Sequence, residues 1–347
     1  MGTGSWRGRR AGLGRRGRRK ARVAGITALV PPELIYAAGW RPLDINNWIP
    51  GSDARPRSKL CAWTASWREA ILGGELKLDA LVVVAGGDCH NALADGQVAA
   101  RNVGRTHYFF YPFDGDAGYM EGQLRALEGF LGEGLRGERA HDRAMRALEE
   151  VAAAKRLGLR LEALRSAGRA DPGSTFDALI SFSDLEGDPA RFGGKVERLI
   201  DASRDFRGTE GPGVALIGVP PIYRDFHRAC AEAGLRVVFD ELPYEFLRLG
   251  GHDLRSLARS YSTYTFARPV EFRLGLLKRE LSRRKVRGII HYAQFTCHHL
   301  LEDGLLREEL DLPMLTVQGD LPGRTPAQVR LRLEAFGELL GAGKGAI

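Results

Sequence analysis

The sequence predicts an α/β protein of two open parallel-sheet domains joined by a helical segment. Three observations carry that prediction. Near-continuous Leu, Val and Ile runs without polar alternation, "LDALVVVAGG" and "GVALIGVPP" above all, fit strands buried on both faces, as in parallel sheets. Segments with apolar residues at helical spacing separate these runs, as parallel crossovers require. From about residue 123 to 210 the strand runs stop and helical spacing takes over. The expected organisation is a basic tail at 1–22, an N-terminal α/β domain at 23–122, a helical linker at 123–210 and a C-terminal α/β domain at 211–347.

The elements follow in order. "VPPELIYAAGW" opens a helix: proline suits its first turn, Glu33 suits the positive end of its dipole, and Gly39 is a stop. "RPLDI" is a short strand. A helix is expected from Ala62 to Leu72, ended by Gly73 and Gly74, and a strand over 80–85 follows it. "GRTHYFFYPFD" supplies another strand. Helical spacing then runs to about Phe206, broken by a loop, "RADPGS", at 169–174. After Gly211 come the strand "GVALIGVPP", the helix "YRDFHRACAEAGL", the strand "RVVFDEL" and the long helix "RPVEFRLGLLKRELSRRKV". Strands in "RGIIHYAQFTCHH" and "LPMLTVQGD" precede a closing helix, with Thr325 as its expected cap and Pro326 in its first turn. This order lets the two halves share one topology.

Composition narrows the class. The chain has 347 residues, 44% hydrophobic and 27% charged, which is ordinary for a globular protein. No apolar run approaches the roughly 18 residues of a membrane span. The first residues are basic without an apolar stretch behind them, so a secretory signal is not expected. Four cysteines are too few for a disulfide framework, which points to a reducing cytoplasm. The net charge of +8 is concentrated: residues 1–22 hold nine of the 51 basic groups and no acid, leaving 42 basic against 43 acidic groups elsewhere. The basicity therefore belongs to a solvated tail, expected to be disordered, and nucleic-acid binding is not expected of the fold.

The cysteines carry the chemistry. Cys61 directly precedes a helix, whose N-terminus favours a thiolate or an anionic cluster. Cys89 and Cys297 each lie just past the carboxyl end of a strand, where open α/β sheets gather ligands. Cys230 sits mid-helix and is expected to be a core thiol; free cysteines often only fill core. Two metal chemistries stay open. An iron–sulfur cluster takes thiolates, normally four, so three would leave one iron open. Zinc could instead take Cys89, Cys297 and one of His90, His298 or His299. The glycines before Asp88 and Cys89 would let backbone approach a bound group closely. Other chemistries fail: "GAGKGAI" lacks the leading Gly and the Ser/Thr of a phosphate loop, "GTGSWRG" follows no strand, and neither G-x-S-x-G nor H-E-x-x-H occurs.

Taken in order, these pieces resemble the 2-hydroxyacyl-CoA dehydratase D-component family, which includes related benzoyl-CoA reductase subunits. "PPELIYAAGWRPLDI", "CAWTASWREAILGGELKLDALVVVAGGDCHN", "GVALIGVPP", "RVVFDEL", "VRGIIHYAQFTCHHLLED" and "LPMLTVQGDLPGRTPAQVRLRLEAF" are similar to successive family segments, from about residue 23 to 340. The resemblance implies a [4Fe–4S] cluster held by Cys61, Cys89 and Cys297 between two Rossmann-like domains. It implies an acyl-CoA substrate, a homologous second subunit in a hetero- or homodimer, and an ATP-dependent activator. In such enzymes the activator injects one electron, which passes to the thioester, and the resulting ketyl radical expels the hydroxyl. Where many relatives carry a further cysteine, this chain has Ala267 and Arg268. His90 and His298 stand beside two of the ligands, as does Asp88, and can tune a bound cluster. Catalytic acids and bases do not carry over; Glu33 is a candidate near Cys61, with capping of its own helix as its other role. The alternatives are a non-catalytic [4Fe–4S] electron relay or partner subunit, and a Cys/His zinc protein.

Overall fold

The computed structural model describes residues 21–49, 55–86, 88–132, 138–208 and 210–342. Residues 1–20 of the basic tail and Gly87 lie outside them.

Two four-stranded, all-parallel sheets form the frame, so the fold is α/β as expected. The first contains β1 (Val23–Ile26), β2 (Arg41–Asp44), β3 (Ala80–Gly86) and β4 (Thr106–Phe110), in the order β2-β1-β3-β4. The second contains β5 (Gly213–Gly218), β6 (Arg236–Asp240), β7 (Gly288–Gln294) and β8 (Met314–Gly319), in the order β6-β5-β7-β8. The two orders are the same, so the halves share one topology. β1 went unrecognised in the sequence because its four residues are too short a run to show a period.

Helices α1 (Pro32–Ala37), α2 (Ile45–Trp48), α3 (Ala62–Leu72) and α4 (His90–Ala99) accompany the first sheet. The middle of the chain forms α5 (Ala117–Leu131), α6 (Glu138–Ser166), α7 (Pro172–Ile180) and α8 (Pro189–Ala202). The second sheet carries α9 (Phe226–Glu232), α10 (Glu241–Phe246), α11 (Leu254–Tyr261), α12 (Val270–Arg283), α13 (Asp303–Glu309) and α14 (Ala327–Ala342). Among the described residues no helix is long and apolar enough to cross a membrane.

β3 shows why its sequence lacks polar alternation. Val82 and Val84 pack on one face with Leu34 and Leu124, while Leu81 and Val83 pack on the other with Ala92 and Ala99. Each of these valines is fully buried, a contribution of roughly 1.5–3 kcal/mol per side chain. α4 lies so close to β3 that a Cβ on Gly96 would come within 2.6 Å of Val83 Cγ1.

The long helix α6 ties both halves together. Lys155, wholly buried, donates to Glu33 Oε1 on α1 at 2.6 Å and to the Tyr261 hydroxyl at the end of α11 at 3.0 Å. Arg165 pairs with Asp240 at the end of β6. Glu33 is thus neither a cap of α1 nor part of the cysteine site, because its carboxylate is held in this buried ion pair. The 169–174 loop is shorter than expected. Asp171 caps α7 by accepting from the Ser174 N–H at 2.8 Å, and Pro172 is its first residue. Thr325 does not cap α14, which begins at Ala327; its hydroxyl donates to Asp225 at 2.8 Å.

Candidate functional site

In each sheet the strand order reverses once, between β1 and β3 and between β5 and β7. At such a switch point the chain leaves neighbouring strands in opposite directions and a crevice opens at the carboxyl edge. Here both crevices open into one cavity of about 120 Å³. Thr27 and Leu29 enter it after β1, Asp88 and Cys89 after β3, Val219 and Pro220 after β5, and Gln294 and Cys297 at and beyond the end of β7. Cys61 joins them from the N-terminal end of α3. The structure therefore brings Cys61, Cys89 and Cys297 to one cavity lined from both sheets. Cys230 is kept out of it, packed in the core of the second sheet with Val237 and Phe226.

Local structure fixes each thiol. The Cys61 backbone is left-handed, with φ 44°, a strained conformation for a residue with a side chain. Its N–H donates to the Phe295 carbonyl just past β7 at 3.1 Å, and the Thr64 hydroxyl donates to its carbonyl at 3.2 Å. Cys89 stands at the N-cap of α4, where its Sγ accepts from the Ala92 N–H at 3.3 Å. Cys297 donates its N–H to the Gln294 carbonyl at 2.8 Å, and the residue before it, Thr296, is also left-handed. Two further bonds close the halves around the cavity: Asn91 Nδ2 to the Thr296 carbonyl at 3.3 Å, and the Trp63 indole to the Pro220 carbonyl at 3.2 Å.

Burial raises the pKa of all three thiols above the usual range, that of Cys297 to about 11. Cys89 is raised further by Cys61, Asp88 and Cys297, and Cys297 by Cys61. Burial also raises Asp88, to about 7, against the lowering effect of the Tyr264 hydroxyl that donates to it at 3.3 Å.

The three histidines beside these cysteines do not line the cavity. His90 and His298 meet edge to face with ring centres 5.1 Å apart, and His298 lies 4.1 Å from His299. His299 Nδ1 sits 3.0 Å from Glu302, which also pairs with Arg273. Among the described residues no three His, Cys, Asp or Glu side chains converge as a single metal ion requires. Thiols around one cavity are the donor type that an iron–sulfur cluster takes.

Several lining residues gave no signal in the sequence. Ala28 and Leu29 follow the unrecognised β1, Asn46 and Asn47 lie on the four-residue helix α2, for which no element was expected, and Trp63 reads as an ordinary helix residue. Tyr264 reaches the cavity from a segment 176 residues beyond Asp88. Gly86 does not line the cavity; it packs against Phe110, with Cδ1 3.0 Å from where a Cβ would stand. Ala267 is buried outside the cavity, and Arg268 donates to the Phe113 and Ser262 carbonyls.

A profile of the family described as "2-hydroxyglutaryl-CoA dehydratase, D-component" matches residues 27–340, nearly the whole chain. No curated protein matches it.

Proposed function

The chain belongs to the 2-hydroxyglutaryl-CoA dehydratase D-component family, and from that premise we propose that it is the iron–sulfur subunit of a 2-hydroxyacyl-CoA dehydratase-type enzyme. The observation that carries this reading is the meeting of Cys61, Cys89 and Cys297 around one cavity. These residues would hold a [4Fe–4S] cluster, with one iron left without a protein thiolate. When bound, such a cluster supplies one-electron chemistry that amino-acid side chains lack.

The chain's own groups do the rest. Backbone bonds from Cys61, at the start of α3, to Phe295 and from Cys297 to Gln294 tie two thiols to the end of β7. Ala28, Leu29, Val219, Leu242 and Phe246 give the cavity largely apolar walls, and a less polar surrounding strengthens the electrostatic interactions inside. A homologous second subunit, an ATP-dependent activator and a cytoplasmic, anaerobic setting belong to the same proposal. So does the division of the chain at 23–122, 123–210 and 211–347.

The test is turnover. The anaerobically isolated chain, combined with its second subunit, the activator, ATP and a reductant, is expected to convert a 2-hydroxyacyl-CoA to the enoyl-CoA. Conversion should stop when any one component is left out. A chain that carries iron and sulfide yet gives no conversion with the complete set would be a relay.

A further inference from the structure

The thiol cavity borders two others in series. A second cavity of about 250 Å³ shares Asn47, Trp63, Ile180 and Pro220 with it. That second cavity in turn shares Phe176, Asp177, Arg224 and His227 with a third, of about 800 Å³. Helix α7 runs along all three. Gly173 and Ser174 line only the widest, Phe176 and Asp177 line the widest and the middle, and Ile180 lines the middle and the thiol cavity. At 1.5 Å per residue, Gly173 to Ile180 spans roughly 10 Å.

The character of the lining changes along that length. The thiol end is walled by apolar side chains, whereas the wide end carries Arg55, Arg224, Arg228 and Arg324. Arg228 and Arg324 are exposed and make no ion pair or hydrogen bond among the described residues. Two of the wide end's carboxylates are already engaged. Asp225 holds Arg330 and Thr325, and Asp171 caps α7. Asp177 lies at the wall shared with the middle cavity, where burial raises its pKa. The wide end thus offers uncommitted guanidinium groups, the side chains best shaped for phosphate oxygens.

We infer that the three cavities form one groove, and that Arg228 and Arg324 bind the phosphate groups of the acyl-CoA, with the carrier arm laid along α7 and the acyl end at the thiols. This deepens the dehydratase reading and rests on it for the identity of the ligand. In that pose Phe176, Ile180 and Trp63 flank the uncharged arm.

The test is the binding of coenzyme A and of pantetheine to the full-length chain, followed by calorimetry. Arg228→Gln and Arg324→Gln are each expected to weaken coenzyme A about tenfold, the loss of one charge-assisted hydrogen bond. The double variant should lose about a hundredfold and show a flatter dependence on salt. Pantetheine, which lacks the phosphates, should bind all variants equally. Both arginines are exposed, so thermal midpoint and iron content should match the parent. Unchanged coenzyme A affinity in the double variant, or no coenzyme A binding by the parent, overturns the inference. Failure here is separable from failure of the proposed function. If the arginines govern coenzyme A binding in a chain without iron, the groove stands and the cluster falls. If iron is present and the arginines are indifferent, the cluster stands and the groove falls.

Discussion

Lys155 is a wholly buried cation whose charge is met by Glu33 and the Tyr261 hydroxyl. Removing one member of such a pair leaves the other charged and unsolvated, so Lys155→Met is expected to cost about 3–5 kcal/mol in urea unfolding. Adding Glu33→Leu should recover most of that loss, because no orphan charge remains. Iron content per folded chain should not change, since neither residue lines the thiol cavity. Asp184 sets a pH dependence. Burial, then repulsion from Asp44, raises its carboxyl from 3.8 to about 7. The folded chain therefore holds a proton that the unfolded chain releases. This contribution to stability is complete below pH 3.8 and is lost as pH rises through about 7. Asp184→Asn is expected to flatten the pH profile of stability across that window; an unchanged profile would exclude Asp184 as its source. The cysteines were legible in the sequence because each follows or precedes a recognisable element at a sheet's carboxyl edge. The role of Glu33 was not, because its partner lies 122 residues away.

At the scale of elements, strand ends decide where the site opens. Gly218 closes β5 at the second switch point with φ +91°, and a Cβ there would overlap the Tyr292 carbonyl oxygen. Gly218→Ala is expected to destabilise by about 1–3 kcal/mol, from backbone strain and that overlap. Gly129, exposed in α5 with nothing within 4 Å of a Cβ, is the contrast. Gly129→Ala should stabilise by about 0.5–1 kcal/mol. Thermal midpoints that moved the same way in both variants would contradict this account of the strand end. β3, β5 and β7 were readable as apolar runs. β1 was not, and with it went the residues that follow it into the cavity.

At the scale of the whole molecule, the two sheets and a site between them were expected from the sequence, but the contacts that hold the halves together were not. That arrangement depends on α6, which reaches α1 through Lys155 and β6 through Arg165. A helix bonded to both halves should make them unfold together. One calorimetric transition is expected, with matching calorimetric and van't Hoff enthalpies. Two resolved transitions would show that the halves are independent. The central claim is that both sheets deliver their thiols to one cluster, and it is tested most directly by iron and sulfide content per chain. The anaerobically reconstituted parent is expected to hold about four irons with matching sulfide. Cys61→Ser, Cys89→Ser and Cys297→Ser should each lose most of both, and Cys230→Ser should lose none. Full iron in any of the first three, loss in Cys230→Ser, or zinc without sulfide in the parent would contradict it.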